Sequence, residues 1–119
     1  MKLLILEEDS GIRLWLSSQA AQSGVELQFA TDHSEALTLA SQSLFDGAFF
    51  NISTCCPDPS SMGHQIRSVC QSGVLPLFFF STSTAFTAIA KIAGDSVDGH
   101  IARPFNIDDL VQNTRVASA

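Results

Sequence analysis

The sequence predicts an α/β domain in which five strands and five helices alternate, with the strands in one parallel, doubly wound sheet. Three observations carry that expectation. Five short apolar, β-prone runs recur without the polar alternation of a half-exposed strand, which marks strands buried on both faces. Segments of helical spacing separate them, and such crossovers are right-handed and cover both faces of the sheet. The chain has 119 residues, enough for one domain with a true core, 1–119, and no linker, repeat or low-complexity tract interrupts it.

Strand β1 is expected at residues 3–6. Helix α1 follows from an N-cap at Ser10, sets Ile12, Trp15, Leu16, Gln19 and Ala20 along one stripe and stops at Gly24. Strand β2 covers 25–29. Helix α2 follows Thr31-Asp32 and turns Ala36, Leu37, Leu39 and Ala40 inward. Strand β3 covers 47–50. The stretch 57–61 is a loop and cap, after which Ile66, Val69 and Cys70 mark helix α3, ending towards Gly73. Strand β4 covers 76–80, and helix α4 runs over about 83–93 to Gly94. Strand β5 covers 99–102, and helix α5 is capped by Asn106 and buries Ile107, Leu110, Val111 and Thr114. A (βα)5 order of this kind is flavodoxin-like, with its site at the carboxyl ends of the strands.

Composition narrows the function. Twelve acidic against six basic residues give a net charge of −6, which repels a phosphate backbone, so no direct nucleic-acid partner is expected. Charged residues make up 15% of the chain against about 25% in a typical domain. Sixteen serines supply much of the polarity instead. No apolar run reaches the roughly 18 residues of a membrane span, so no membrane insertion is expected. Glu7-Glu8-Asp9 breaks any leader-type apolar run, and the expected location is cytoplasmic. Cys55, Cys56 and Cys70 show neither a CxxC spacing nor a histidine pair placed to share zinc.

The strand ends carry Glu7-Glu8-Asp9, Asn51, Ser81-Thr82 and Arg103-Pro104. No glycine-rich phosphate loop follows any strand, so no nucleotide cofactor is expected. Glu7 and Glu8 are weak Mg²⁺ candidates, since that ion takes carboxylate oxygens. Acids ahead of α1 would equally complement its dipole.

Along residues 2 to about 115 the pattern resembles the receiver domain of two-component response regulators, the CheY-like family. The run from Leu3 to Arg13 is similar to the receiver opening, where an acidic pair binds Mg²⁺. The run from Phe45 to Asn51 is similar to the strand that ends at the phosphoacceptor aspartate. The run from Leu75 to Thr82 ends at the switch Ser/Thr position, here Ser81, and the run from Asp98 to Phe105 carries the aromatic switch position followed by Lys-Pro.

The departures from that pattern imply an atypical, pseudo-receiver. Asn51 stands at the phosphoacceptor position, and a neutral amide is a poor nucleophile towards phosphorus. Arg103 stands at the lysine position and is expected to pair with Glu7 or Glu8, filling the space a metal needs. His100 stands at the aromatic switch position, where it is either a pH-sensitive group or a surface residue. Of the four positions Asn51, Ser81, His100 and Arg103, only Ser81 keeps the family's residue type. The resemblance thus implies a non-enzymatic signal-transduction domain without cofactor or firmly held metal.

Its partner would be a protein: a histidine kinase, an output domain or a second copy. The expected docking face is the one made by α4, β5 and α5. The predicted α4 has a single charge, Lys91. With Phe86, Ile89, Ala90 and Ala93 against the sheet, Ala85, Ala88 and Ile92 form a second apolar face. Leu14 is a weaker hint of the same kind on α1. Two other readings stay open: a receiver that still responds to Mg²⁺ or phosphoryl donors, and a small flavodoxin-like ligand-binding domain.

Overall fold

Strands that are apolar on both faces need a helical layer on each side, and the chain supplies both. In the computed structural model the described residues are 1–51, 59–70, 75–80, 98–101 and 105–118. The strands are β1 (Lys2–Leu6), β2 (Glu26–Ala30), β3 (Gly47–Asn51), β4 (Leu77–Phe80) and β5 (Gly99–Ile101). All four pairings are parallel, in the order β2-β1-β3-β4-β5. The helices are α1 (Ser10–Ser23), α2 (His33–Gln42), α3 (Pro59–Val69) and α5 (Ile107–Ser118). The segment predicted as α4 lies outside the described residues.

Period-two alternation sorts the strand side chains between two cores. Leu4, Leu6, Ala48, Phe50, Leu77 and Phe79 pack with Ala36, Ala40, Met62 and Ile66 of α2 and α3. Leu3, Ile5, Phe49, Phe78 and Phe80 pack with residues of α1 and α5. Phenylalanines in register across β3 and β4 tie the layers together, Phe49 stacking on Phe78 at 5.1 Å between centroids.

The helix ends follow capping rules, with one correction. Asp9, not Ser10, is the N-cap of α1: its Oδ1 accepts from the Ile12 N–H at 3.0 Å. From Asp9 a carboxylate reaches the third helical N–H and also meets the positive end of the dipole, which the Ser10 hydroxyl does not. Gly24 ends α1 at φ 70°, a left-handed conformation suited to glycine. Asn106 and Asp109 exchange side-chain-to-backbone bonds of 3.0 and 2.8 Å, a reciprocal cap at the start of α5. The Gln19 side chain of α1 accepts a further first-turn N–H, from Ile107, at 2.8 Å.

Two inward assignments also change, those of Trp15 and of Val111, which is only half-buried on α5 while Ile107, Leu110 and Thr114 are buried. Trp15 is 45% exposed, because Leu16 and Ala20 fill the stripe and Trp15 is left on its rim, edge-on to Phe105. Val69 is 38% exposed, because α3 buries Met62 and Ile66, four apart, and the next turn of that stripe is Cys70.

At the amino edge of the sheet an Asp-Gly step opens both β3 and β5. Asp46 N–H donates to the Lys2 carbonyl at 2.8 Å while its carboxylate accepts from the Lys2 N–H at 2.7 Å. Asp98 repeats this with Leu77, at 2.7 and 2.8 Å, and its carboxylate also meets Arg67 of α3. The aspartate closes the ladder where a strand begins. The glycine at Gly47 is forced by packing: a Cβ there would lie 2.8 Å from Thr114 Oγ1 and 3.0 Å from its Cγ2. Gly47→Ala is expected to cost about 1–3 kcal/mol in urea unfolding. Adding Thr114→Ala should recover part of that loss, so that the double-mutant costs do not add. Gly99→Ala, whose Cβ meets Phe78 only at 3.5 Å, should cost much less.

Candidate functional site

In a sheet of this order the crossover direction reverses between β1 and β3, which opens a crevice above their carboxyl ends. The register sets which residues meet there. Leu3 to Leu6 pair with Gly47 to Phe50, so the next positions, Glu7 and Asn51, fall side by side. By strand alternation both share the α1/α5 side of the sheet with Ile5 and Phe49.

The two side chains are joined. Asn51 Nδ2 donates to Glu7 Oε2 at 2.6 Å, and Glu7 Oε1 accepts from the Asp9 N–H at 3.0 Å. The Glu7 N–H continues the β1–β2 ladder to the Ala30 carbonyl at 2.9 Å. Glu7 is 1% exposed and Asn51 4%. The contact fixes the sense of the amide, because an ionised carboxylate only accepts and the –NH₂ must face it.

The acidic pair therefore divides. Glu7 turns into the crevice and Glu8 is exposed to solvent. Asp9, which the sequence leaves in the acid run without a role, caps α1 with its side chain and holds Glu7 with its N–H. The signal for it was present: an aspartate three residues before Ile12 is a normal N-cap spacing. Ser81, Arg103, Ala85, Ala88 and Ile92 lie outside the described residues, as does the expected pairing of Arg103 with Glu7 or Glu8. The backbone of His100 is in β5, opposite Phe79, and its side chain is outside the described set. Phe105 is buried against Phe80 and Trp15, with centroids at 5.3 and 6.0 Å, and so anchors the chain at the start of α5 to the end of β4 and to α1.

As placed, these residues do not fit a Mg²⁺ ion. Both oxygens of Glu7 already accept hydrogen bonds, and Asn51 turns its nitrogen, not its oxygen, towards them. Among the described residues no three His, Cys, Asp or Glu side chains are grouped to hold a metal.

Removing the amide leaves a buried carboxylate oxygen without its donor. Asn51→Ala is expected to lower stability by about 1–3 kcal/mol, whereas exposed Glu8→Ala should stay within about 0.5 kcal/mol. Urea unfolding of the two variants side by side checks this. Equal losses would mean that the contact carries no weight.

No family model matches the sequence, and no curated protein matches it. Solved structures do match along nearly the whole chain. The receiver domain of a sensor histidine kinase from Pseudomonas aeruginosa PAO1, solved with a magnesium ion coordinated in its active-site cleft, superposes with a TM-score of 0.79 at 16% identity, covering 99% of this chain and 98% of that one. The chemotaxis response regulator CheY4 of Vibrio cholerae gives 0.74 at 23% identity, covering 98% and 97%. A two-component response regulator from Clostridium difficile gives 0.79 at 19%, covering 99% and 95%. The sheet order, the helical layers and these superpositions agree: the chain has the CheY-like fold of response-regulator receiver domains.

Proposed function

We propose that this chain is a receiver-type signalling domain that works through protein contacts and takes no phosphoryl group on an aspartate. The observation that carries the reading is the Asn51–Glu7 hydrogen bond at the carboxyl ends of β3 and β1. An acyl phosphate forms when a carboxylate oxygen attacks phosphorus. Asn51 has no such oxygen, and its nitrogen is committed to Glu7, its lone pair delocalised into the carbonyl. The magnesium-bearing cleft of the Pseudomonas aeruginosa receiver makes Mg²⁺ the ion to consider here, and the placement of Glu7 and Asn51 argues against it.

On this reading the domain is not an enzyme, and its output is a surface. The partner is a protein, either a histidine kinase, an output domain or a second copy, docking on the face made by the predicted α4 with β5 and α5. Ala85, Ala88 and Ile92 are the residues proposed to meet it. The location is proposed to be cytoplasmic; among the described residues no helix is long and apolar enough to cross a membrane.

The test is an amide NMR titration with beryllofluoride, a phosphoryl mimic, with Mg²⁺ present throughout. Resonances of Glu7, Glu8, Asn51 and Ser81 are expected to stay in place. Shifts there that spread into residues 83–93 would overturn the proposal in favour of a working phosphoryl switch.

A further inference from the structure

A carboxylate taken out of water needs a positive charge or donors for its oxygens. Among the described residues Glu7 has two donors, the Asp9 N–H and the Asn51 amide, at 3.0 and 2.6 Å. Neither belongs to a positively charged group. The amide is the telling one, because an aspartate at the same position would differ only by O⁻ in place of NH₂. Two carboxylate oxygens would then face each other across the 2.6 Å that the hydrogen bond now spans. Like charges so close do not both ionise unless a proton or a cation stands between them.

We infer that the Asn51 amide fills the role of a cation at Glu7, so that the pocket is closed by a hydrogen bond built into the chain and is indifferent to divalent ions. This deepens the proposed function, and it rests on that reading in taking the crevice above β1 and β3 for the receiver site. Asn51 is a positioning residue here. It holds the carboxyl ends of β1 and β3 together, and through the Asp9 N–H the same carboxylate fixes the turn into α1. In this arrangement magnesium has no part in setting the conformation of the site.

A side-chain swap isolates the charge argument. Glu7→Gln combined with Asn51→Asp keeps every side-chain length and the single negative charge, and reverses only the direction of the hydrogen bond. The amide introduced on β1 would donate to the carboxylate introduced on β3, while its carbonyl accepts from the Asp9 N–H. Thermal melts of the full chain, with chelator and with millimolar Mg²⁺, compare wild type, Asn51→Asp and the swap.

Wild type is expected to melt at the same temperature in both conditions. Asn51→Asp should melt lower in chelator, by about 5 °C or more for a loss near 1 kcal/mol, and Mg²⁺ should recover most of that shift. The swap should melt close to wild type and ignore Mg²⁺. A wild type that rises with Mg²⁺ overturns the inference, as does an Asn51→Asp variant that matches wild type in chelator. If Asn51→Asp does not fold in either condition, the swap decides: a wild-type melt supports the inference and a failed fold overturns it. Beryllofluoride-induced shifts would sink the signalling proposal and leave these melts unchanged, so the two failures are told apart.

Discussion

Glu7 can sit at 1% exposure only because the chain brings a donor to each of its oxygens, and that requirement organises the carboxyl edge of the sheet. The β1–β3 register delivers one donor, since the pairing of Leu6 with Phe50 puts Asn51 beside Glu7. The start of α1 delivers the other, since Asp9 must stand where its N–H meets Glu7 and its carboxylate meets Ile12. A one-residue slip of β3 would send Asn51 to the opposite face and leave the carboxylate short of a partner. Burial, register and helix start are thus one constraint seen from three sides.

The opposite edge of the sheet is governed by backbone satisfaction instead. Asp46 and Asp98 each close a strand's first N–H and C=O, and each is followed by a glycine. At Gly47 the reason is spatial, because α5 brings Thr114 directly over the strand. Between the two edges the Phe49–Phe78 stack and the Phe50–Phe79 contact fill the space across β3 and β4. The amino edge and the aromatic layer hold the strands in register, and the register places the site.

Much of this was legible in the residues. Unbroken apolar runs gave the strands, because burial on both faces leaves no polar alternation, and the alternating order then implied the parallel sheet. Asn51 and the acid pair were visible as strand-end residues. What the pattern could not resolve was which of Glu7 and Glu8 enters the crevice, since that depends on the phase in which β1 leaves the sheet. The cap of α1 was misassigned by one residue because Asp9 and Ser10 have nearly equal cap preference; only the reach to Ile12 separates them. Trp15 and Val69 lay at the rim of their stripes, where a helical repeat is a poor guide to exposure. The Asp46 and Asp98 brackets join residues 44 and 21 positions apart, beyond any local pattern.

The polar pair itself is better explained by geometry than by stability. Well-packed apolar side chains in the same volume often stabilise a fold as much as a buried charge with its partners does. Glu7 and Asn51 supply what an apolar pair cannot, a directional link with a single solution. A methyl group at Asn51 would fill space without choosing a distance, whereas a 2.6 Å hydrogen bond sets the separation of two strand ends and, through Asp9, the entry into α1. If the inference holds, a receiver fold whose site is fixed in this way keeps the ends of β1 and β3 in one arrangement without a metal ion. On the proposed reading, regulation of the domain would then come from what binds its surface.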